Sequence, residues 1–193
     1  FSWKAAADAV NLLGGIDMEI TKAEYAYINA FITETVDSTG IPSVHLTGPG
    51  PAHLDGVQAV AYSRLRLMDT DMNRTERQRK VIEAVLEKLK QADLPTINRL
   101  LEMVLPQVAT SIDAGDFLEL GKNAGNYHIV KTEGFPTVYK AATLGKLGSC
   151  LIPNTLESNV TALHEFLYED QDYQNSDRVK EIGGEIIKQA LGE

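Results

Sequence analysis

The stretch HLDGVQAVAYSRLRLMDTDMNRTERQRKVI, from His53 to Ile82, decides how this chain is read. Asp55 stands ahead of Val57, Val60 and Ala61, so a helix is expected from Asp55 to about Ser63. After an irregular segment, Asp71 or Asn73 can cap a long helix from Arg74 to Gln91. Its apolar stripe is Val81, Ile82, Val85, Leu86 and Leu89. On a helix each residue advances about 100°. Arg74 and Gln78 are then nearly aligned, with Arg77 beside them. Arg64 and Arg66 share a face where the chain is extended, which suits the end of the preceding helix. Two extended Arg side chains and a helix edge carrying Arg74 and Gln78 can meet at one point.

Arginine at such a point favours phosphate. Its guanidinium presents a planar fork that matches phosphate oxygens bidentately and stays charged at working pH. Each charge-assisted bond contributes about 1.5–3 kcal/mol. The helix N-terminus near Arg74 adds the positive end of its dipole. The plainer alternative is a solvated helix face, and Asp69 and Asp71 fit a supporting role, holding arginines by ion pairs.

The charge distribution sharpens this. The 193-residue chain has a formal net charge of −9. The window from Arg64 to Lys80 holds six basic and three acidic residues, so it carries +3 and the remainder −12. A globally acidic chain with pI about 4.9 is a poor general nucleic-acid binder, so no nucleic acid is expected as a partner. Apolar residues make up 44% and charged residues 23%, ordinary for a globular fold. The single cysteine, Cys150, excludes an intrachain disulfide framework. No apolar stretch approaches membrane-spanning length. With no leader and no initiator Met, the chain is expected to be a fragment or a processed product.

Outward from the central stretch, helices alternate with short strands. Trp3–Leu13 reads as a helix stopped by Gly14-Gly15, Ile16–Ile20 as a strand, and Thr21 with Glu24 as a capping box for a helix to about Thr35. Residues 37–53, rich in Gly and Pro, read as a loop. A helix is expected from Pro95 to Leu105, a short strand at Thr110–Ile112, and a helix from Asp113 to about Ala124 with Phe117, Leu118 and Leu120 inward. Strands follow at Tyr127–Thr132 and Gly148–Ile152, then helices from Pro153 to Tyr168 and from Asp177 to Leu191. This order predicts a layered α/β fold. His45 and His128 have no partners at metal-ligand spacing, and His53 reads as an exposed loop residue.

HLDGVQAVAYSRLR followed by DTDMNRTERQRKVI resembles the pattern of the LytR–CpsA–Psr proteins: a Leu-(Asn/Asp)-Gly-x-Gln-Ala-Leu-Ala-Tyr-(Ala/Ser)-Arg-x-Arg run, then Asp-x-Asp-Phe-x-Arg-x-x-Arg-Gln. NLLGGIDMEITKAEYAYIN is similar to that family's Gly-Gly segment and the helix after it, and IPNTLESNVTALHEFLY to its closing helix. Met72 replaces the usual Phe, an adaptable apolar filler. The resemblance implies that residues 1–193 are the C-terminal part of a single catalytic domain. Its fold would be an α/β/α sandwich around a central mixed sheet, incomplete because the earlier half is not in this chain.

The resemblance further implies a phosphotransferase that moves a glycopolymer, such as teichoic acid or capsule, from a polyprenyl-pyrophosphate carrier onto peptidoglycan. It would sit at the extracytoplasmic face of the membrane, anchored by an N-terminal helix outside this chain. Arg64, Arg66, Arg74 and Gln78 would line the pyrophosphate site, with Arg77 beside them. Mg2+ or another divalent ion would be held by acidic residues of the earlier half, with none of its ligands here. Head-group contacts would supply the selectivity, because a prenyl tail leaves one apolar medium for another; Val81, Val85 and Leu89 read as core before they read as a tail tunnel. Two other readings compete: a non-catalytic module for lipid-pyrophosphate or anionic polymer, and the transcriptional regulator the family was once labelled. The acidic pI and the lack of a helix-turn-helix pattern oppose the latter.

Overall fold

A computed structural model describes residues 2–66, 71–107, 109, 111–113, 115–116, 119–120 and 124–191, without the side chains of Asp71, Met72 and Leu191. The chain forms two compact units, Phe1–Val130 and Lys131–Glu193.

In the first unit, helix α1 (Trp3–Leu12) is capped by Ser2, whose hydroxyl accepts from the Ala5 amide at 3.1 Å. Gly14 and Gly15 take φ of 82° and 87°, which turns the chain into β1 (Ile16–Ile20). The Thr21/Glu24 capping box opens α2 (Lys22–Thr39), and Gly40 closes it in the left-handed conformation at φ 69°. The helix therefore runs four residues past Thr35, because nothing breaks it before Gly40. Strand β2 (Gly50–Leu54) pairs antiparallel with β1, from Ile16 opposite Leu54 to Ile20 opposite Gly50. The sequence expectation of a loop over residues 50–53 is thus corrected. Pro51 is tolerated because the ribbon has only two strands and a Pro needs only an unpaired N–H position.

Helix α3 (Gly56–Arg64) is the centre of the unit. Asp55 and Gln58 form a reciprocal capping box, and every residue from Gly56 to Tyr62 is buried. Gly56 is required by packing: a Cβ there would lie 1.9 Å from the Ala7 carbonyl oxygen of α1. Its amide instead donates to Asn11 Oδ1 at 2.7 Å. Ala7, Val10, Ile16, Ile20, Ile28, Ile32, Leu54, Val57, Val60 and Leu65 close the core around α3. Full burial of each Val, Leu or Ile contributes about 1.5–3 kcal/mol. Helix α4 (Asp71–Gln91) lays Val81, Ala84 and Val85 against that core, whereas Ile82 is exposed and is not part of the buried stripe. Helix α5 (Leu94–Val104) is capped by Asp93 and packs on α1.

The second unit holds a hairpin, β3 (Tyr139–Leu144) and β4 (Gly148–Pro153), followed by α6 (Leu156–Tyr168) and α7 (Asp177–Leu191). The hairpin is antiparallel, with Tyr139 opposite Pro153. Asn159 of α6, fully buried, joins helix to hairpin. Its Oδ1 accepts from the Thr137 amide at 2.7 Å and the Val138 amide at 3.1 Å, and its Nδ2 donates to the Val138 and Thr155 carbonyls at 3.0 and 2.9 Å.

The fold is therefore mixed α/β and mostly helical. Among the described residues the strands form two separate two-stranded antiparallel sheets in place of the central mixed sheet of a layered sandwich. Among the described residues each strand has one antiparallel partner, and no crossover joins parallel strands. Ser111 and Ile112 are not in a strand, and neither are residues 127–132. A β-branched run forms no strand without a partner to pair with. Leu120 is exposed rather than inward, and Phe117 and Leu118 lie outside the described residues. Among the described residues no helix is long and apolar enough to cross a membrane.

Candidate functional site: the arginine edge of helices α3 and α4

Most of the residues that make the central stretch distinctive are structural. Leu54 is buried, Asp55 caps α3 and also accepts from Ser43 Oγ at 2.6 Å, and the Gln58 amide is used at both ends: its Oε1 accepts from the Asp55 amide and its Nε2 donates to the Val44 carbonyl, each at 2.9 Å. Tyr62 is buried against Glu24, and burial pushes its hydroxyl pKa well up, helped by the Glu24 charge. What remains for a ligand is the end of α3 and the facing edge of α4.

Two backbone contacts pin those elements together. Arg77 Nη2 donates to the Leu65 carbonyl at 2.7 Å, and Gln78 Nε2 to the Ser63 carbonyl at 3.4 Å. The carbonyls at the C-terminus of a helix lack intrahelical partners, and a cationic donor there is favoured twice over. Arg77 is 4% exposed, and its Nη1 lies 3.9 Å from Glu24 Oε1. The sequence reading places Arg77 beside Arg74 at the substrate. In the structure it lies beneath the surface and braces α4 on α3, with its charge met by buried Glu24. Glu24 also accepts from the Thr21 amide and hydroxyl, so one carboxylate serves a helix cap and a buried ion pair.

Arg64 leaves α3 in another direction, toward α2 and the start of α1. Its Nη1 donates to Thr35 Oγ1 at 2.7 Å and its Nη2 to Glu34 Oε2 at 3.2 Å. The guanidinium carbon stands 3.8 Å from the centre of the Trp3 ring. Arg66 is exposed just past the helix end, Arg74 is half-buried on the first turns of α4, and Gln78 is exposed one turn further on. The structure brings Arg77 and Gln78 onto the end of α3, next in sequence to Arg64 and Arg66. Asp69 lies outside the described residues, as does the side chain of Asp71. Within the first unit, Glu34 pairs with Arg64, Glu24 with Arg77 and Glu76 with Arg79.

A second polar cluster was missed from sequence. His53 is in β2, not in a loop. Its Nδ1 is 2.6 Å from Asp17 Oδ1 across the ribbon and its Nε2 is 2.7 Å from the Gly14 carbonyl. Lys88 of α4 reaches the other oxygen of Asp17 at 3.0 Å. With an acceptor at both nitrogens, the imidazolium is favoured, so the His53 pKa is raised, first by Asp17 and then by the Gly14 carbonyl. Asp17 is lowered in turn by His53 and then Lys88. The alternation of Ile16–Ile20 placed Asp17 on the outer face; only the position of β2 was needed to find its partner.

Among the described residues no group of three or more His, Cys, Asp or Glu side chains could hold a metal ion.

The LytR_cpsA_psr family model matches residues 1–149. Among characterised relatives, the chain is 27% identical over 116 residues to TagV of Bacillus subtilis (strain 168), a polyisoprenyl-teichoic acid–peptidoglycan teichoic acid transferase, covering 58% of this chain and 27% of that protein. It is 28% identical over 149 residues to TagU of Bacillus mycoides (strain KBAB4), a transferase of the same name, covering 64% of this chain and 49% of that protein. The chain thus spans half or less of the length of these relatives. The crystal structure of B. subtilis TagV is similar in fold, with a TM-score of 0.61 at 21% identity, covering 90% of this chain and 63% of that one. Matched by the family model over most of its length, the chain belongs to the LytR–CpsA–Psr family.

Proposed function

We propose that this chain is the C-terminal part, over residues 1–193, of an enzyme that transfers a glycopolymer from a polyprenyl-pyrophosphate carrier to peptidoglycan. The reaction takes place at the extracytoplasmic face of the membrane. The diphosphate is assigned to Arg64, Arg66, Arg74 and Gln78. The observation that carries this reading is the pinning of α4 onto the end of α3 by Arg77 and Gln78. It holds the edge that bears Arg74 beside the residues that bear Arg64 and Arg66. The distant likeness to teichoic acid transferases supports the choice of reaction.

In such a transfer the acceptor hydroxyl attacks the phosphorus that carries the glycan, and the remaining phosphate leaves with the lipid. Negative charge builds on the leaving phosphate. Fixed guanidinium groups stabilise it without reorganising at the moment of reaction. Arg77 takes no part in contact; it keeps the α4 edge in place.

Transfer of lipid-linked teichoic acid to peptidoglycan by the full-length protein tests this. Arg64→Ala and Arg74→Ala should each lower the rate, on the order of a hundredfold for loss of one stabilising donor, with an unchanged circular dichroism spectrum. Undiminished transfer in both variants would remove the site. Retained binding of the lipid-linked polymer with no transfer by the wild-type protein would leave a binding module instead.

A further inference from the structure

Arg64 differs from a typical surface arginine in how completely its rear is held. Thr35 is fully buried, and its hydroxyl donates to the Phe31 carbonyl at 2.6 Å, which leaves its oxygen to accept from Arg64 Nη1. Trp3 covers one face of the guanidinium. A guanidinium has five N–H donors; Thr35 takes one and Glu34 another. The two holders are unlike. Thr35 is neutral and cannot leave. Glu34 is a charged residue with a side chain 61% exposed, bonded at the longer distance of 3.2 Å.

We propose that Trp3 and Thr35 are positioning residues for Arg64, and that Glu34 is a stand-in anion which the incoming diphosphate displaces. This rests on the diphosphate reading given above. A free arginine loses about 2 kcal/mol of rotamer entropy when fixed. Stacking on an indole and bonding to a buried hydroxyl fix it before the ligand arrives, so less of that cost falls on binding. The indole also strips water from one guanidinium face, which strengthens its attraction to phosphate on the other sides. Glu34 acts in the opposite sense. It neutralises Arg64 in the unliganded protein and must release Nη2 before a phosphate oxygen can use it. The two kinds of neighbour therefore predict effects of opposite sign.

The probe is inorganic pyrophosphate, titrated into the 193-residue chain by calorimetry and by the fluorescence of Trp3, the only tryptophan in the sequence. Pyrophosphate should change Trp3 emission in the wild type and leave it unchanged in Arg64→Ala. Trp3→Ala should weaken binding by roughly three- to tenfold, within the range of a cation–π contact, and Trp3→Phe should restore most of it. Thr35→Val should weaken binding and Thr35→Ser should not. Glu34→Gln should tighten binding by about two- to fivefold, the range of an exposed ion pair. A general loss of structure would weaken binding in every variant and could not produce the gain with Glu34→Gln. If Arg64→Ala weakens binding while Trp3→Ala and Glu34→Gln leave it unaltered, or both change it in one direction, the positioning proposal fails and the diphosphate site stands. If Arg64→Ala binds pyrophosphate as the wild type does, the site itself fails, and the proposal with it.

Discussion

The two compact units are held together by different chemistry. In residues 1–130 the fully buried side chains are apolar almost throughout, from Ala5 to Leu65, and helix α3 is enclosed along seven consecutive positions. Among the described residues of 131–193 no large apolar side chain is buried, and the one buried polar side chain, Asn159, carries the joint between hairpin and helix through its own hydrogen bonds. Apolar burial is non-directional and sums over many contacts. A single amide joint is directional and fails as a unit when one partner is lost. The arginine edge belongs to the first kind of structure. Arg64 and Arg66 end the most enclosed helix of the chain, and Arg74 and Gln78 ride on a helix braced against it.

The largest expected effect breaks the first unit at its tightest point. In Gly56→Ala the new Cβ would meet the Ala7 carbonyl oxygen, carbon and Cα at 1.9, 2.6 and 2.8 Å. These are backbone atoms and cannot rotate away, so α1 and α3 must part. The loss should reach about 3 kcal/mol, the upper end for overpacking, and urea unfolding followed by Trp3 fluorescence measures it. An unchanged midpoint would mean that α1 does not pack on α3 as described. Next comes Asn159→Ala, which leaves the Thr137 and Val138 amides without their acceptor. About 1–3 kcal/mol should be lost, and amide exchange should rise at Thr137 and Val138 while Ile28 and Ile32 keep their protection. Equal protection at Thr137 in wild type and variant would show that the joint lies elsewhere.

The smallest effect concerns His53 and Asp17, both largely exposed. The His53 pKa is raised from 6.5, so its contribution is complete below that value and is lost as pH rises through the folded pKa. The Asp17 pKa is lowered from 3.8, so its contribution is complete above that value and is lost as pH falls through the folded pKa. The pair should therefore stabilise the β1–β2 ribbon most between about pH 3.8 and 6.5. The difference in unfolding free energy between wild type and Asp17→Asn, measured across pH, should peak in that window. A difference that does not vary with pH would contradict the pairing.

Local signals were legible in the sequence, and long-range ones were not. The capping box at Thr21 and Glu24, the alternation of Ile16–Ile20, and the helices from Trp3, Asp55 and Asp177 rest on neighbours a few residues away. Strand β2 was hidden because Gly50 and Pro51 read as punctuation, and only the opposite strand explains them. Residues 127–132 read as a strand from composition alone. Of the site, the arginines themselves were visible from their spacing and from the resemblance. Their partners were not: Thr35 lies 29 residues from Arg64 and Glu24 is in another helix. The supporting role expected of Asp69 and Asp71 lies outside the described side chains. Glu34 and Glu24, which pair with Arg64 and Arg77, come from α2, and Glu76, which pairs with Arg79, from the same helix. Charge pairing across a fold follows packing, which one-dimensional spacing does not encode.

The most direct test of the diphosphate edge is a titration of the isotopically labelled chain with inorganic pyrophosphate, followed through its arginine Nε–H and glutamine Nε2 resonances. The account predicts saturable shifts at Arg64, Arg66, Arg74 and Gln78, a smaller response at buried Arg77, and none at Arg178 in the second unit. Shifts spread evenly over all arginines, or confined to residues outside α3 and α4, would contradict it.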